Sequence, residues 1–270
     1  MHKPPICPGR HHVTNRHRQS PGHHHRKKRQ QQLRYPRHDQ RDPVPTLKPR
    51  FPQKQRKPQT TSVELFIRQR PVLMIALQEM ACHNVNLVSP SHQTAAFVMA
   101  LPEAVKSGLS IPIVYNCGGY ESMQTLNLID GIVDIYMPDL KYSDPAMSLR
   151  YSNAEAYPQI AQSAIKEMHR QVGNIVVDEK GIATRGLLIR HLVLPNNIAG
   201  SVKTLEFIAR EISTDTYINI MDQYHPCFKA IEHPLLNRGL TGSEYYAVLE
   251  HAKSLGLTRL DKEDLRGHWL

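Results

Sequence analysis

The chain has 270 residues, and its 34 lysines and arginines against 24 acidic residues give a formal net charge of +10. The positive charge is concentrated at one end, because residues 1–72 hold 18 of the basic residues and three of the acidic ones. The basic composition therefore does not indicate that the whole chain binds nucleic acid. No apolar run approaches the ~20 residues that a membrane-spanning helix needs.

Residues 1–72 have an unusual composition, with 11 of the 20 prolines, half of the 16 histidines and almost no apolar periodicity. Such a segment cannot bury enough apolar surface to offset its conformational entropy, so we expect it to be disordered. We favour an out-of-frame or misassigned start over a basic arm that binds polyanions, although basic tails do bind phosphates. For the run HHHRKKR (23–29) we expect adventitious metal binding at most.

From about residue 72 onward, short β-branched runs alternate with segments of helical periodicity, a pattern typical of parallel βα units. In chain order, the predicted strands are residues 85–88, 111–115, 132–137, 187–194 and 217–221. The predicted helices are residues 93–107, 121–128, 157–172, 201–211 and 243–254. A hairpin-like insert is predicted at 174–184, with its turn at 178–181.

Five consecutive βα units fit either an α/β barrel or an open, doubly wound sheet. The functional side chains of a barrel gather at the C-terminal ends of its strands. Here each predicted strand is followed by polar residues or glycines, which read SPSH (89–92), NCGG (116–119), DLK (139–141), PNN (195–197) and QYH (223–225). We therefore favour a barrel, with the open sheet as the alternative.

These strand ends belong to longer segments that resemble a known family. The segments are ACHNVNLVSPSH (81–92), IPIVYNCGGYE (111–121), DGIVDIYMPDLKY (130–142), RGLLIRHLVLP (185–195) and NIMDQYHPC (219–227). In this order they resemble uncharacterised radical S-adenosylmethionine (SAM) proteins related to pyruvate formate-lyase activating enzymes. The resemblance implies a partial radical SAM (β/α)6 TIM-like barrel over residues 73–260 that lacks its first βα unit. The disordered basic tail would precede it, and residues 261–270 would form a C-terminal tail.

The resemblance also implies two cofactors, SAM and a [4Fe–4S] cluster held by three cysteines in a CxxxCxxC loop. Thiolates suit iron–sulfur clusters because they are soft, charged donors. The sequence contains no such triplet, since its cysteines are the widely spaced Cys7, Cys82, Cys117 and Cys227. We therefore assign no metal ligand and expect this chain to hold no cluster. We interpret Cys82 as a buried packing residue.

For SAM itself, the resemblance implies five contact residues at the rim: Asn116, Gly118, Asp139, Lys141 and His225. Asp139 and Lys141 lie two positions apart and so point to the same face of a strand. That face would hold the ribose hydroxyls and the carboxylate of SAM, whereas the alternative is a plain surface ion pair of little energy. Glycine at 118 would permit either a close ligand or a positive φ.

Four further residues are candidates for the substrate side: His92, Arg190, His191 and Gln223. Arg190 and His191 lie in an apolar strand, and buried charge is costly unless it is paired. One of them should therefore face the barrel interior and find a partner there, as a structural ion pair or as a substrate contact. For His92 the alternative is a helix cap. No residue is assigned as catalytic.

The function implied by the resemblance is that of a radical SAM enzyme of the glycyl-radical-activase type, with a protein as its substrate. The widely spaced cysteines and the lack of a secretory signal predict a cytoplasmic location. In an intact relative, one electron from the cluster cleaves SAM to methionine and a 5′-deoxyadenosyl radical. Without the cysteine triplet, we expect the chain as written to be inactive. The alternative is a non-catalytic remnant or a misassigned reading frame that at most binds SAM or a partner, with residues 85–88 as an exposed edge strand.

Overall fold

The computed structural model describes residues 62–261, with side chains from residue 69 onward. Its helices are α1 (Ser62–Glu79), α2 (Thr94–Lys106), α3 (Met123–Leu128), α4 (Pro145–Ser152), α5 (Tyr157–Val172), α6 (Ser201–Phe207) and α7 (Gly242–Ser254). Its strands are β1 (Val85–Val88), β2 (Ile113–Cys117), β3 (Ile135–Pro138), β4 (Val176–Val177), β5 (Ala183–Leu192) and β6 (Tyr217–Met221). The predicted α/β class with a parallel sheet is confirmed.

The parallel strands follow one another in space in the order of the chain. β1 pairs with β2, β2 with β3, β3 with β5, and β5 with β6, all in parallel, whereas β4 pairs antiparallel with the start of β5. Among the described residues, β1 has no strand on its other side, and the outer edge of β6 meets only a bridge from Ile218 to Leu260. The order therefore runs in one direction from β1 to β6 without a reversal.

Most predicted elements lie where the sequence pattern put them. β1, β6 and α5 match the predicted residues, and the predicted insert forms the β4–β5 hairpin with its turn at residues 178–181. Strand β3 begins at Ile135 rather than at residue 132, because the preceding turn takes up Ile132, whose amide donates to Ile129 O. Helix α6 ends in a π-helical turn at Ile208–Ile212.

Two helices were not predicted. α4 follows Asp144, whose carboxylate accepts the Ala146 amide at 2.7 Å, and Pro145 occupies the first helical position, where its missing amide costs nothing. α1 contains the boundary that the sequence suggested at residue 72, so the last residues of the predicted tail are helical. The rest of that tail and residues 262–270 lie outside the described part of the chain.

Helices cover one face of the sheet and form its main apolar core. Tyr115, Tyr136, Leu187 and Ile189 point from the strands to this side, where α3, α5, α6 and α7 pack against them. A second cluster joins α1 and α2 to the start of β1 and β2, and it is built from Met74, Val85, Phe97, Ala104 and Ile113. No helix among residues 62–261 is long and apolar enough to cross a membrane.

Candidate functional site

The C-terminal ends of β3 and β5 bring charged side chains together. Asp139 follows β3 directly and forms a parallel bridge with Arg190 of β5, 51 positions later in the chain. Arg190 is in turn paired in register with Asn219 of β6. Alternate residues of a strand share a face, so this row lies on the side of the sheet that is opposite Tyr136 and Ile189.

Asp139 holds two cations. Its Oδ1 atom accepts from Arg190 Nε at 2.9 Å and lies 2.6 Å from Arg190 Nη2, while its Oδ2 atom pairs with the Lys141 ammonium. The side chains of Lys141 and Arg190 remain 43% and 29% exposed. Two positive charges against one negative charge leave this group with a net positive charge at neutral pH.

These charges line one side of a cavity of about 420 Å³ that we call the rim cleft. Its other walls come from the segment after β3, from α4, from β5 and from the loop after β6. Apart from the three charged residues, the lining consists of Tyr142, Tyr151, Ser152, Leu192, Leu194, Met221, Gln223, Tyr224, Ala230 and Leu236. The rim cleft thus combines a cationic side with apolar and aromatic walls, which suits an organic molecule that carries a carboxylate or another anionic group.

His191 lies behind the rim cleft and is completely buried. Its Nδ1 atom is 2.6 Å from Leu140 O and its Nε2 atom is 2.8 Å from Ser201 Oγ, so the imidazole connects the end of β3 with the start of α6. Burial lowers the pKa of His191, against the opposing effect of the bond to Leu140. Of the two neighbours in β5, Arg190 therefore lines the rim cleft, whereas His191 packs behind it and links β3 to α6.

A tight turn after β2 borders the rim cleft. Gly119 has φ +77°, and a Cβ atom there would lie 2.2 Å from Asp139 O, so the close approach of the two strand ends requires glycine. A Cβ atom on Gly118 would meet nothing within 4 Å. The hydroxyl of Tyr157, from α5, lies within hydrogen-bond distance of Gly118 O, Asp139 O and the Lys141 amide.

A second polar group, which we call the Glu121 cluster, lies where β1 and β2 end and comprises Ser91, Thr94, Tyr115, Cys117 and Glu121. Only 4% of the Glu121 surface is exposed, and its carboxylate accepts from Ser91 Oγ and, at 3.3 Å, from the Tyr115 hydroxyl. Tyr115 is also 3.0 Å from Thr94 Oγ1. Burial raises the pKa of Glu121, although hydrogen bonds from Ser91, Tyr115 and Cys117 oppose the shift.

Of the predicted site residues, Asp139, Lys141, Arg190 and Gln223 line the rim cleft. The structure does not bring the predicted histidines there. His225 is exposed and lies 3.3 Å from Gln223 O through Nδ1, outside the lining of the rim cleft. His92 instead lines a separate groove between α1 and β1.

Asn116 and Gly118 lie at the border of this arrangement. Asn116 is paired in register with Met137, two residues before Asp139, and therefore shares the sheet face of Asp139 and Arg190. Gly118 contributes its carbonyl oxygen to the Tyr157 hydroxyl at 2.9 Å. Neither residue belongs to the lining of the rim cleft, so their contact with a ligand stays a prediction.

Sequence reasoning missed three residues that organise the rim. Tyr157 has the pattern of an ordinary packing aromatic at the start of a helix, and no local signal reveals which carbonyls its hydroxyl meets. Glu121 was expected only as a helix residue. Of the three, Gly119 was the easiest to predict from the sequence, because one glycine of a Gly-Gly pair after a strand often has a positive φ.

The described cysteines do not form a cluster site. Cys117 is buried, and burial together with the neighbouring Glu121 carboxylate raises the pKa of its thiol to about 12. Cys82 is half-buried in the turn between α1 and β1, and Cys227 is exposed in the loop after β6. Residues 62–261 contain no group of three or more His, Cys, Asp or Glu side chains that could hold a metal ion.

No family model matches the chain. A curated, uncharacterised protein of Methanocaldococcus jannaschii is 32% identical over 177 residues, which are 64% of this chain and 47% of that protein. The chain thus spans about half the length of this relative. A solved domain of a pyruvate-formate lyase-activating enzyme from Bacteroides vulgatus is 12% identical, with a TM-score of 0.45, covering 65% of this chain and 94% of that domain.

Proposed function

We propose that the chain binds SAM in the rim cleft as a barrel protein of the radical SAM type, and that its own residues do not support radical chemistry. The observation that carries the proposal is the convergence of Asp139, Lys141, Arg190 and Gln223 from the ends of three neighbouring parallel strands. Ligands of parallel α/β proteins bind at this end of the strands.

The charges of the rim cleft fit one part of SAM in particular. Asp139 already accepts from Arg190 and Lys141, so its oxygens are less available for ribose hydroxyls than the sequence pattern suggested. Lys141 and Arg190 retain exposed surface and carry the net positive charge. We therefore assign them to the carboxylate of the methionine part, because charge-assisted hydrogen bonds to a carboxylate are the strongest that such residues make.

The apolar walls of the rim cleft suit the adenosine part of the ligand. Tyr142 and Tyr224 offer aromatic surfaces, and Leu192, Leu194 and Met221 offer aliphatic ones. A cavity of about 420 Å³ lies within the usual range for small-molecule sites. Aromatic surface beside cationic side chains distinguishes such a site from a simple anion site on the protein surface.

The arrangement of the sheet supports a barrel rather than the doubly wound alternative. A doubly wound sheet reverses its strand order at a switch point. Here β1, β2, β3, β5 and β6 are neighbours in chain order. In our proposal this sheet is the described part of a partial barrel whose rim carries the ligand.

A [4Fe–4S] cluster does not fit the described residues. Such a cluster needs several convergent thiolates, whereas the Cys117 thiol is buried with a raised pKa and Cys82 and Cys227 belong to separate elements. The 270 residues also contain no CxxxCxxC motif. We therefore propose SAM binding alone and attribute no reaction to this chain, and a protein substrate stays a prediction.

Binding of SAM to the full chain tests the proposal by isothermal titration calorimetry. We expect saturable binding below about 1 mM SAM for the unmodified chain. Replacing Lys141 by methionine should weaken binding at least about tenfold, because it removes one cation opposite the ligand carboxylate. Lys166→Met is the matched control, since Lys166 also forms a half-exposed ion pair, with Glu211, but lies outside the lining of the rim cleft.

Two results would contradict the proposal. If the unmodified chain shows no saturable binding, the rim cleft is not a SAM site. If Lys141→Met binds SAM as well as the Lys166→Met control does, the ligand binds elsewhere. S-adenosylhomocysteine should also compete, because it has the same carboxylate and adenosine and differs only in lacking the methyl group and the positive charge on sulfur.

A further inference from the structure

The hydroxyl of Tyr157 lies where the ends of β2 and β3 meet. It accepts a hydrogen bond from the Lys141 amide at 3.0 Å. It can donate its single proton to Gly118 O, at 2.9 Å, or to Asp139 O, at 3.0 Å. One buried side chain thus contacts the backbone on both sides of Leu140. It also contacts the turn that follows the neighbouring strand.

The tyrosine ring supports the same region from behind. Tyr157 is 4% exposed, its ring lies nearly parallel to Tyr120 at 5.8 Å, and it meets the edge of Tyr142 at 5.9 Å with an interplanar angle of 88°. Tyr142 forms a wall of the rim cleft. Tyr157 therefore packs against a cleft wall while its hydroxyl bonds to the backbone that carries the charged residues.

The close approach of the two strand ends makes this contact specific. Gly119 lies so near to Asp139 O that a Cβ atom would not fit. The carbonyl oxygens of Gly118 and Asp139 both lie within hydrogen-bond distance of the Tyr157 hydroxyl, which can donate to either of them. Burial raises the pKa of Tyr157, so the hydroxyl keeps its proton and remains a donor at neutral pH.

We infer that Tyr157 is the positioning residue of the rim cleft, setting the backbone of residues 139–141 so that Asp139 and Lys141 meet a ligand in the correct geometry. The role in ligand binding rests on the proposed function, whereas the role in ordering the backbone does not. Tyr157 does not line the rim cleft, so it acts through Asp139, Lys141 and Tyr142. Displacements of about 1 Å at such residues are known to be costly.

Tyr157→Phe tests the inference, with Tyr136→Phe as the matched control. Tyr136 is also a buried tyrosine, and its hydroxyl donates to Gln171 Oε1 at 2.5 Å, on the helix side of the sheet. Each variant removes one buried hydroxyl and keeps the ring. Both should therefore lower the melting temperature of the full chain to a similar extent, which separates stability from positioning.

The first measurement is amide hydrogen exchange of a peptide that includes Lys141. We expect Tyr157→Phe to speed exchange there about tenfold, because the Lys141 amide loses its acceptor, while Tyr136→Phe leaves this peptide unchanged. The second measurement is SAM affinity by calorimetry, which should fall about tenfold for Tyr157→Phe and remain within twofold for Tyr136→Phe.

The outcomes separate this inference from the proposed function. Unchanged exchange at Lys141 in Tyr157→Phe would overturn the inference whether or not SAM binds. Faster exchange with unchanged SAM affinity would overturn the role in binding. Absence of SAM binding to the unmodified chain would reject the proposed function, and the exchange measurement would still decide whether Tyr157 orders the backbone.

Discussion

The rim cleft and the Glu121 cluster lie at the same edge of one sheet, yet they use their polar groups differently. In the rim cleft, Asp139 pairs with Arg190 and Lys141, and both cations keep exposed surface. In the Glu121 cluster, the carboxylate is almost completely buried and accepts from Ser91 and Tyr115, while Cys117 is enclosed beside it. One group can receive a ligand, and the other is satisfied by the protein itself.

This difference shows how burial decides between a binding site and a structural contact. A charged pair with exposed surface retains unused donors, because lysine has three N–H groups and arginine has five. Burial disfavours the ionised form of a carboxyl group, so a buried carboxyl group needs hydrogen-bond partners in fixed positions beside it. A polar residue at a strand end can therefore belong to a binding site or to a structural contact. The packing around it determines which of the two roles it has.

The largest expected effect comes from Gly119, which belongs to the turn joining the two regions. Gly119→Ala should lower the free energy of unfolding by roughly 3 kcal/mol or more, because the new Cβ atom would collide with Asp139 O and the backbone has a positive φ. Gly118→Ala should change it by less than about 1 kcal/mol, since a Cβ atom there meets nothing within 4 Å.

Urea denaturation of both variants at pH 7 checks this prediction. Equal losses for Gly118→Ala and Gly119→Ala would mean that the strand ends are not held so closely that a Cβ atom at Gly119 is excluded. In that case the turn at Gly119 would not hold the rim cleft and the Glu121 cluster close together.

An intermediate effect is expected at His191, behind the rim cleft. His191→Gln should cost about 2 kcal/mol near pH 8, because it disrupts the buried bonds to Leu140 and Ser201. Burial lowers the pKa of His191 in the folded state, so the unfolded state binds more protons below about pH 6.5. The contribution of His191 is therefore present above that pH and lost as the pH falls.

The stability difference between the unmodified chain and His191→Gln should accordingly shrink between pH 8 and about pH 5. Urea denaturation over a pH series measures it, and the other histidines cancel because both proteins contain them. A difference independent of pH would show that His191 accepts a proton in the folded state as readily as in the unfolded one.

The smallest effect, with the opposite dependence on pH, is expected in the Glu121 cluster. Glu121→Gln should leave stability within about 1 kcal/mol near pH 4, where the carboxyl group is largely protonated and resembles the amide. The raised pKa of Glu121 means that the folded state binds more protons than the unfolded state above the ordinary value of about 4.3. The unmodified chain should then lose stability relative to Glu121→Gln as the pH rises toward 7.

The same pH series of urea denaturation reveals this trend. Parallel curves for Glu121→Gln and the unmodified chain would indicate that Glu121 ionises normally and is better solvated than its 4% exposure implies. Opposite trends for Glu121 and His191 would demonstrate that the two buried groups respond to pH in opposite directions.

The sequence by itself determined the alternation of strands and helices, the β4–β5 hairpin and the polar character of the strand ends. These features depend on local periodicity and turn residues, which a short window of sequence contains. The spacing of Asp139 and Lys141 also predicted their common position. Local patterns failed at α4, which is short, and at α1, which begins in a segment that composition alone marked as disordered.

Only the tertiary structure decided which polar residues meet. Arg190 reaches Asp139 through the parallel pairing of β3 and β5, while its neighbour His191 turns to the helix side. His92 and Glu121 follow strands just as Asp139 does, yet packing places one in a separate groove and encloses the other. The reason is physical: register and burial arise from contacts between segments that are far apart in the chain, and these contacts determine whether a polar group remains available to a ligand.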